Sequence, residues 1–212
     1  MDRLLRVVGP AATNVHVLAD PRSREAIAID TATPSLAWIA GELAERDWTL
    51  KLIVSTHGHW DHIGDNAAVA AHTAAPIAVH PLDRKRLTDP QPLFAPFDIP
   101  ASVPAVELAE GGIIKVGEIR LRVLHTPGHT EGSVCLLEQD QRILFSGDTL
   151  FAGAWGRVDL PGGDADAMVE SLARLTGLED HIAVLPGHGA ATTIGRERAW
   201  MELVRDGGRL FA

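Results

Sequence analysis

Long apolar runs and cysteine are scarce in this chain of 212 residues. The apolar runs near the start are short and are interrupted by Arg6, Gly9 and Pro10, so we expect neither a signal-peptide core nor a membrane span. The single cysteine, Cys135, cannot form an internal disulfide, which fits a reducing compartment. We therefore expect a cytoplasmic protein.

Positive charge is also scarce. The chain has 19 Lys and Arg residues against 28 Asp and Glu residues, and its longest basic run is Arg84-Lys85-Arg86. A net charge of −9 repels phosphate backbones, so we expect no nucleic-acid partner. The short apolar runs likewise predict no membrane partner. The length and the hydrophobic content of 46% predict a single domain over residues 1–212.

The apolar pattern predicts strands followed by helices, twice along the chain. In the first half, short apolar runs favour a β-meander, and a helix with apolar residues at helical spacing then precedes the strand LKLIV. An alanine-rich helix to about Thr73, capped by Asp65 or Asn66, comes before the strand IAVH. The second half repeats this plan, which predicts stacked sheets covered by helices. The predicted strands lie at 4–8, 15–18, 26–29, 113–116, 119–124, 134–138, 142–145 and 182–185, and the later helices lie at 164–175 and from about 196.

Six prolines interrupt the segment 81–104, which we predict to be irregular. Such segments are usually connections that cross the surface, and a role as a lid over a substrate is the second interpretation.

The motif THGHWDH, at residues 56–62, places three histidines and an aspartate directly after a predicted strand. Side chains two residues apart in an extended segment point the same way, so His57 and His59 could bind one metal ion together. Asp61 and His62 follow at once, and Gly58 allows a tight turn that would direct this second pair towards a neighbouring ion.

Three further segments carry ligand-type residues in the same setting, each after a strand and beside Gly or Pro. They are HTPGHTEGS with His129, FSGDTLF with Asp148, and LPGHG with His188. A rigid sheet can hold such loops in place, so we predict that the four segments form one site. The remaining histidines lack such neighbours and are more typical of structural or solvent-facing positions: His16, His72, His80, His125 and His181.

The motifs THGHWDH, TPGHTEGS, SGDTLF and PGHG, in this order, resemble those of the metallo-β-lactamase fold superfamily. Within it, the chain is most similar to short, single-domain glyoxalase II-like (hydroxyacylglutathione hydrolase-like) enzymes. The resemblance implies an α+β fold, a four-layer αββα sandwich, with two divalent metal ions per chain. Zinc is the first expectation, and Fe or Mn are alternatives. The implied ligands are His57, His59 and His129 for one ion and Asp61, His62 and His188 for the other, with Asp148 bridging them and Asp61 and Asp148 taking part in catalysis.

Two departures distinguish this chain from the larger glyoxalase II enzymes. The stretch after His188 is too short for their glutathione-binding helical domain, and the chain contains no tyrosine. Where those enzymes carry a glutathione-binding lysine and tyrosine, this chain has Arg157 and Asp159. Arg157 is predicted either to bind a substrate carboxylate or to form an ion pair with Asp159. β-Lactamases of the main zinc class have a cysteine ligand at the position of Asp148, whereas Cys135 lies in a predicted buried strand.

The resemblance implies a dinuclear metal-dependent hydrolase that attacks its substrate with a hydroxide held by both metal ions. The expected substrate is a small-molecule thioester, such as a hydroxyacyl-thiol, or another activated ester. A thiolate leaves without a proton donor, whereas an amine must be protonated, and no separate general acid is evident in the motifs. The alternative is a persulfide dioxygenase with one ferrous iron at His57, His129 and Asp148. A third interpretation is a metal-stabilised binding domain without activity.

Overall fold

The first three strands form the antiparallel meander that the sequence predicts. A computed structural model describes residues 1–91 and 93–207, and in it β1 (Asp2–Val8), β2 (Thr13–Asp20) and β3 (Glu25–Ile29) pair in sequence order. All eight residues of β2 are buried. A strand with no solvent-facing side is covered on both faces, so this sheet lies between two other layers.

After β3 the strands pair in parallel, with helices connecting them. The elements are α1 (Leu36–Arg46), β4 (Thr49–Val54), α2 (Trp60–Ile63), α3 (Asn66–Thr73), β5 (Ile77–Val79), a 3-10 turn (Pro81–Asp83), α4 (Arg84–Thr88) and β6 (Val106–Glu107). The sheet has the order β1-β2-β3-β4-β5-β6, and each strand from β3 to β6 runs parallel to the next. The carboxyl ends of β3 and β4 therefore meet at one edge, where the loop with THGHWDH begins.

The second sheet has six strands in the order β12-β11-β10-β9-β8-β7. Its elements are β7 (Ile113–Val116), β8 (Ile119–His125), β9 (Val134–Glu138), β10 (Ile143–Gly147), α5 (Ala165–Leu175), β11 (Ala183–Pro186), β12 (Thr192–Thr193) and α6 (Ile194–Arg205). β10 and β11 pair in parallel across the α5 connection, so their carboxyl ends also meet. None of the helices in the described residues is long and apolar enough to cross a lipid bilayer.

Three buried apolar layers hold the sheets and helices together. Ile39 of α1 belongs to the layer between the first sheet and its helices. Leu18 and Phe145 belong to the layer between the two sheets, and Met168 and Met201 to the layer between the second sheet and α5 and α6. This arrangement confirms the predicted α+β, four-layer αββα sandwich.

Two local predictions need correction. Asp65 precedes α3, but its side chain does not cap that helix. Its Oδ2 instead accepts hydrogen bonds from the backbone N–H groups of Ser35 (2.6 Å) and Leu36 (2.8 Å) at the start of α1. The segment 81–104, predicted to be irregular, begins with the 3-10 turn and α4, and its Pro92 lies outside the described residues.

Candidate metal centre

The predicted site residues converge at the edge where the two sheets meet. Each follows a strand: the THGHWDH loop and α2 follow β4, the His129 loop follows β8, Asp148 follows β10, and His188 follows β11. Asn14 of β2 connects the loop that carries His188 to the first sheet, because its Nδ2 donates to the backbone oxygens of Pro186 and Gly189, both at 2.9 Å. Loops from both sheets therefore share one cluster.

One group in this cluster consists of His57, His59 and His129, each of which offers one ring nitrogen within 4.8 Å of those of the other two. All three side chains are buried. Nδ1 of His59 lies 2.7 Å from Nε2 of His129. The three histidines that the family resemblance implies for the first ion thus place ligand atoms around a common centre.

A second group consists of Asp61, His62 and His188, again with ligand atoms within 4.8 Å of one another. Nε2 of His188 lies 3.1 Å from Nε2 of His62 and 3.2 Å from Oδ2 of Asp61. These residues come from α2 and from the loop after β11, so the second predicted set also meets.

Asp148 lies between the two groups. Its Oδ2 is 3.5 Å from Nε2 of His129 and 3.5 Å from Nε2 of His188, and its Oδ1 is 3.4 Å from Nε2 of His62. His57, His62 and Asp148 form a further set with ligand atoms within 4.8 Å. One carboxylate therefore contacts members of both groups.

Several atoms in the cluster lack the partners that burial normally demands. Nε2 of His57, Nε2 of His59 and Oδ1 of Asp148 are buried without a hydrogen-bond partner in the described residues. Leaving a buried polar atom unpaired costs about 1–3 kcal/mol. Imidazole nitrogens and carboxylate oxygens are also the ligands that zinc and iron use in proteins, so these residues fit a metal centre.

The protonation states of the histidines in the cluster also fit a metal centre. Burial and the neighbouring histidines keep the pKa of His57 well below its usual range, and burial lowers the pKa of His59 to about 3, so both rings stay neutral and keep a free lone pair. Burial opposes ionisation of His62 and His188, yet the nearby carboxylates of Asp148 and Asp61 raise the pKa of these rings to about 9 and about 11. Negative charge that holds protons there would equally stabilise a metal cation.

Asp30, which the sequence reasoning did not single out, orients part of the cluster. Its Oδ2 lies 3.0 Å from Nδ1 of His62, and its two oxygens accept hydrogen bonds from the backbone N–H (2.7 Å) and the hydroxyl (2.8 Å) of Thr56. A carboxylate at Nδ1 leaves Nε2 of His62 directed at the centre. The available signal was its position directly after β3, as with the other site residues.

Asp83 is a second missed residue, in the turn that was predicted to be irregular. It is fully buried. Its Oδ2 accepts hydrogen bonds from the backbone N–H of Gly58 and the hydroxyl of Thr130, both at 2.7 Å, and its Oδ1 accepts one from the backbone N–H of Gly132 at 3.0 Å. Asp83 thus ties the THGHWDH loop to the loop that carries His129.

Gly187 in the PGHG motif lies too close to the cluster for any side chain. A Cβ atom there would lie 2.3 Å from Oδ1 of Asp148 and 2.7 Å from Cε1 of His62. Such contacts are far shorter than van der Waals separation. The glycine is therefore required by the close approach of the loop to the cluster.

A cavity of about 360 Å³ opens onto the cluster, and Arg157 and Asp61 are among its lining residues. Nε and Nη2 of Arg157 each donate to a carboxylate oxygen of Asp159 at 2.7 Å. The hydrogen bond with Arg157 lowers the pKa of Asp159 to about 2. Of the two roles predicted for Arg157, the structure contains the ion pair, and binding of a substrate carboxylate stays a prediction.

Comparison with known proteins agrees with this geometry. The family model of the metallo-beta-lactamase superfamily matches residues 8–188. The chain belongs to this superfamily.

Cys135, which the sequence assigned to the core, is buried in β9, 3.4 Å from the hydroxyl of Thr126, and burial raises the pKa of its thiol to about 11.

Three known proteins are similar to this chain over most of its length. The hydroxyacylglutathione hydrolase GloC of Haemophilus influenzae is 35% identical over 162 residues, 74% of this chain and 76% of that protein. The B3 metallo-beta-lactamase BLEG-1 superposes with a TM-score of 0.83 and 33% identity, covering 93% of this chain and 97% of that one. TTHA1623 in a di-iron-bound form superposes with a TM-score of 0.82 and 32% identity, covering 92% and 96%. Together these similarities indicate a metal-dependent hydrolase of the superfamily.

Proposed function

We propose that this chain is a dinuclear metal-dependent hydrolase that cleaves thioesters. The observation that carries the proposal is the convergence of two ligand groups on one shared carboxylate, Asp148. One ion would be held by His57, His59 and His129 and the other by Asp61, His62 and His188. We propose zinc as the resident metal, with iron and manganese as alternatives, and the di-iron form of TTHA1623 supports a site for two ions.

The bound ions would supply Lewis acidity, which lowers the pKa of a coordinated water towards neutrality and stabilises negative charge on the carbonyl oxygen of the substrate. The chain's own residues position the reactants. Asp61 and Asp148 both line the cavity, so their carboxylates can accept a hydrogen bond from the attacking water and orient it. Asp30, behind His62, keeps that ring fixed.

The groups that line the cavity favour a thiol as the leaving group. Its titratable residues are the proposed ligands and Arg157, which is bonded to Asp159, so no separate proton donor lies among the described lining residues. A thiol has a pKa of about 8.5 and departs as the thiolate without protonation, whereas an amine requires a proton. Similarity to the hydroxyacylglutathione hydrolase GloC supports the same class of reaction.

The test is metal analysis of the purified protein combined with two assays. We expect two divalent ions per chain, thioester hydrolysis, loss of that activity on chelation and its recovery when metal is returned. The persulfide dioxygenase alternative uses His57, His129 and Asp148 as the ligands of one iron and leaves Asp61, His62 and His188 without metal. One tightly held iron per chain, with oxygen uptake on glutathione persulfide and no thioester hydrolysis, would establish that alternative instead.

A further inference from the structure

We propose that the acyl group of the substrate is apolar and uncharged, and that Phe94 is a specificity-determining residue that contacts it. This inference rests on the proposed thioester hydrolase function. It concerns the wall of the cavity rather than the metal centre.

The cavity has an apolar wall beside the reactive cluster. Trp60 of α2, Leu93 and Phe94 of the connection before β6, and Phe151 and Leu160 after β10 all line it. These side chains come from three separate parts of the chain, so the fold assembles the wall. A cavity of about 360 Å³ with such a lining has the size and character of a small-molecule site.

Among the residues that the structure describes, Phe94 is the most exposed large apolar side chain, with 76% of its surface accessible. An aromatic ring held at a cavity mouth gains the most when an apolar group of a ligand covers it. The segment is anchored against the site, because Phe97 packs edge-to-face on Trp60 with ring centroids 5.9 Å apart. Phe94 is thus presented beside a wall that is already formed.

The charges that line the cavity disfavour an anionic acyl group. Arg157 is the one Lys or Arg among the described lining residues, and Asp159 occupies both its Nε and its Nη2. A substrate carboxylate against the apolar wall would lose its hydration without gaining a free cationic partner, which is costly. An alkyl chain at the same place loses no hydrogen bonds and buries apolar surface.

The probes are three thioesters of N-acetylcysteamine, an uncharged thiol, assayed with the metal-loaded full chain. The acyl groups are acetyl, hexanoyl and adipoyl, and the last two differ in a terminal methyl against a terminal carboxylate. A single methylene in an apolar pocket is worth about 10- to 200-fold in kcat/KM. Burying the unpaired carboxylate of the adipoyl group should cost more than losing one methylene, so we expect kcat/KM for the hexanoyl thioester to exceed that for the adipoyl thioester by at least about tenfold.

Phe94→Ser should lower the ratio of kcat/KM for hexanoyl over acetyl thioester about tenfold. Val103→Ser is the matched control, since Val103 lies in the same connection, is 72% exposed and does not line the cavity, and it should leave the ratio unchanged. Equal kcat/KM for hexanoyl and adipoyl thioesters, or an unchanged ratio in Phe94→Ser, would overturn the inference while leaving the hydrolase intact. Absence of hydrolysis for all three, acetyl included, would overturn the proposed function and this inference with it.

Discussion

Removal of His188 separates the two-metal hydrolase from the one-iron alternative. His188 belongs to the second ligand group only, whereas His57 is a ligand in both schemes. In His188→Ala the remaining members of the second group are Asp61 and His62, with the shared carboxylate of Asp148. Nε2 of His188 lies 3.1 Å from His62 Nε2 and 3.2 Å from Asp61 Oδ2, so its loss opens the centre of that group.

The expected loss of metal affinity in His188→Ala follows from the usual cost of altering a metal site. Removing a residue that only supports a ligand typically costs about 10- to 100-fold in metal affinity or activity. Loss of a ligand itself should cost at least about 100-fold in affinity for the second ion, equal to about 2.7 kcal/mol. With less positive charge at the centre, the pKa of the attacking water rises. We therefore expect kcat to fall by at least about 100-fold at neutral pH and to recover partly at alkaline pH.

The assay is metal stoichiometry after dialysis together with a pH–rate profile for thioester hydrolysis. His57→Ala should be inactive at every pH. His181→Ala is the matched control, because His181 is exposed and pairs with Glu179, and it should behave like the unmodified protein. If His188→Ala keeps both ions and an unchanged profile while His57→Ala is inactive, the two-metal mechanism is wrong.

Three further predictions follow from single contacts. Arg157→Ala should change KM for acidic and neutral thioesters equally, because Asp159 already occupies Nε and Nη2 of Arg157. A selective rise in KM for acidic thioesters, with metal content intact, would instead show carboxylate binding. Asp83→Asn should lower the free energy of unfolding by about 1–3 kcal/mol and weaken metal binding, because one of the oxygens that accept hydrogen bonds from the two loops is lost. Urea and metal titrations measure both effects, and the control Asp89→Asn should show neither. Burial and the charge of Arg3 lower the pKa of His16 to about 3. Below pH ~6.5 His16 is therefore protonated in the unfolded chain but stays neutral in the folded chain, so the free energy of unfolding decreases as pH falls. The free energy of unfolding in urea should fall between pH 7 and pH 5 by about 2 kcal/mol less in His16→Leu than in the unmodified protein. Equal falls in the two proteins would refute this role of His16.

Most of the fold was readable from local pattern, because its long strands are apolar runs closed by turn residues. The exceptions depend on partners elsewhere in the chain. β6 and β12 have two residues each, too few to form a pattern, and they exist because they pair with β5 and β11. Asp65 looked like the cap of α3, but it lies near the start of α1, whose free N–H groups it satisfies instead.

The sequence by itself determined which residue types gather near strand ends: His57, His59, Asp61, His62, His129, Asp148 and His188. Each of these residues follows a strand beside Gly or Pro, and on that ground the sequence predicted that the four segments form one site. The tertiary structure decided the rest. It placed Asp30 behind His62, Asp83 against two loops, and Leu93 and Phe94 in the lining of the cavity. These contacts join side chains far apart in the chain, as His62 and His188 are joined across 126 positions. Local periodicity carries no information about such pairs, because only the stacking of the two sheets brings them within hydrogen-bonding distance.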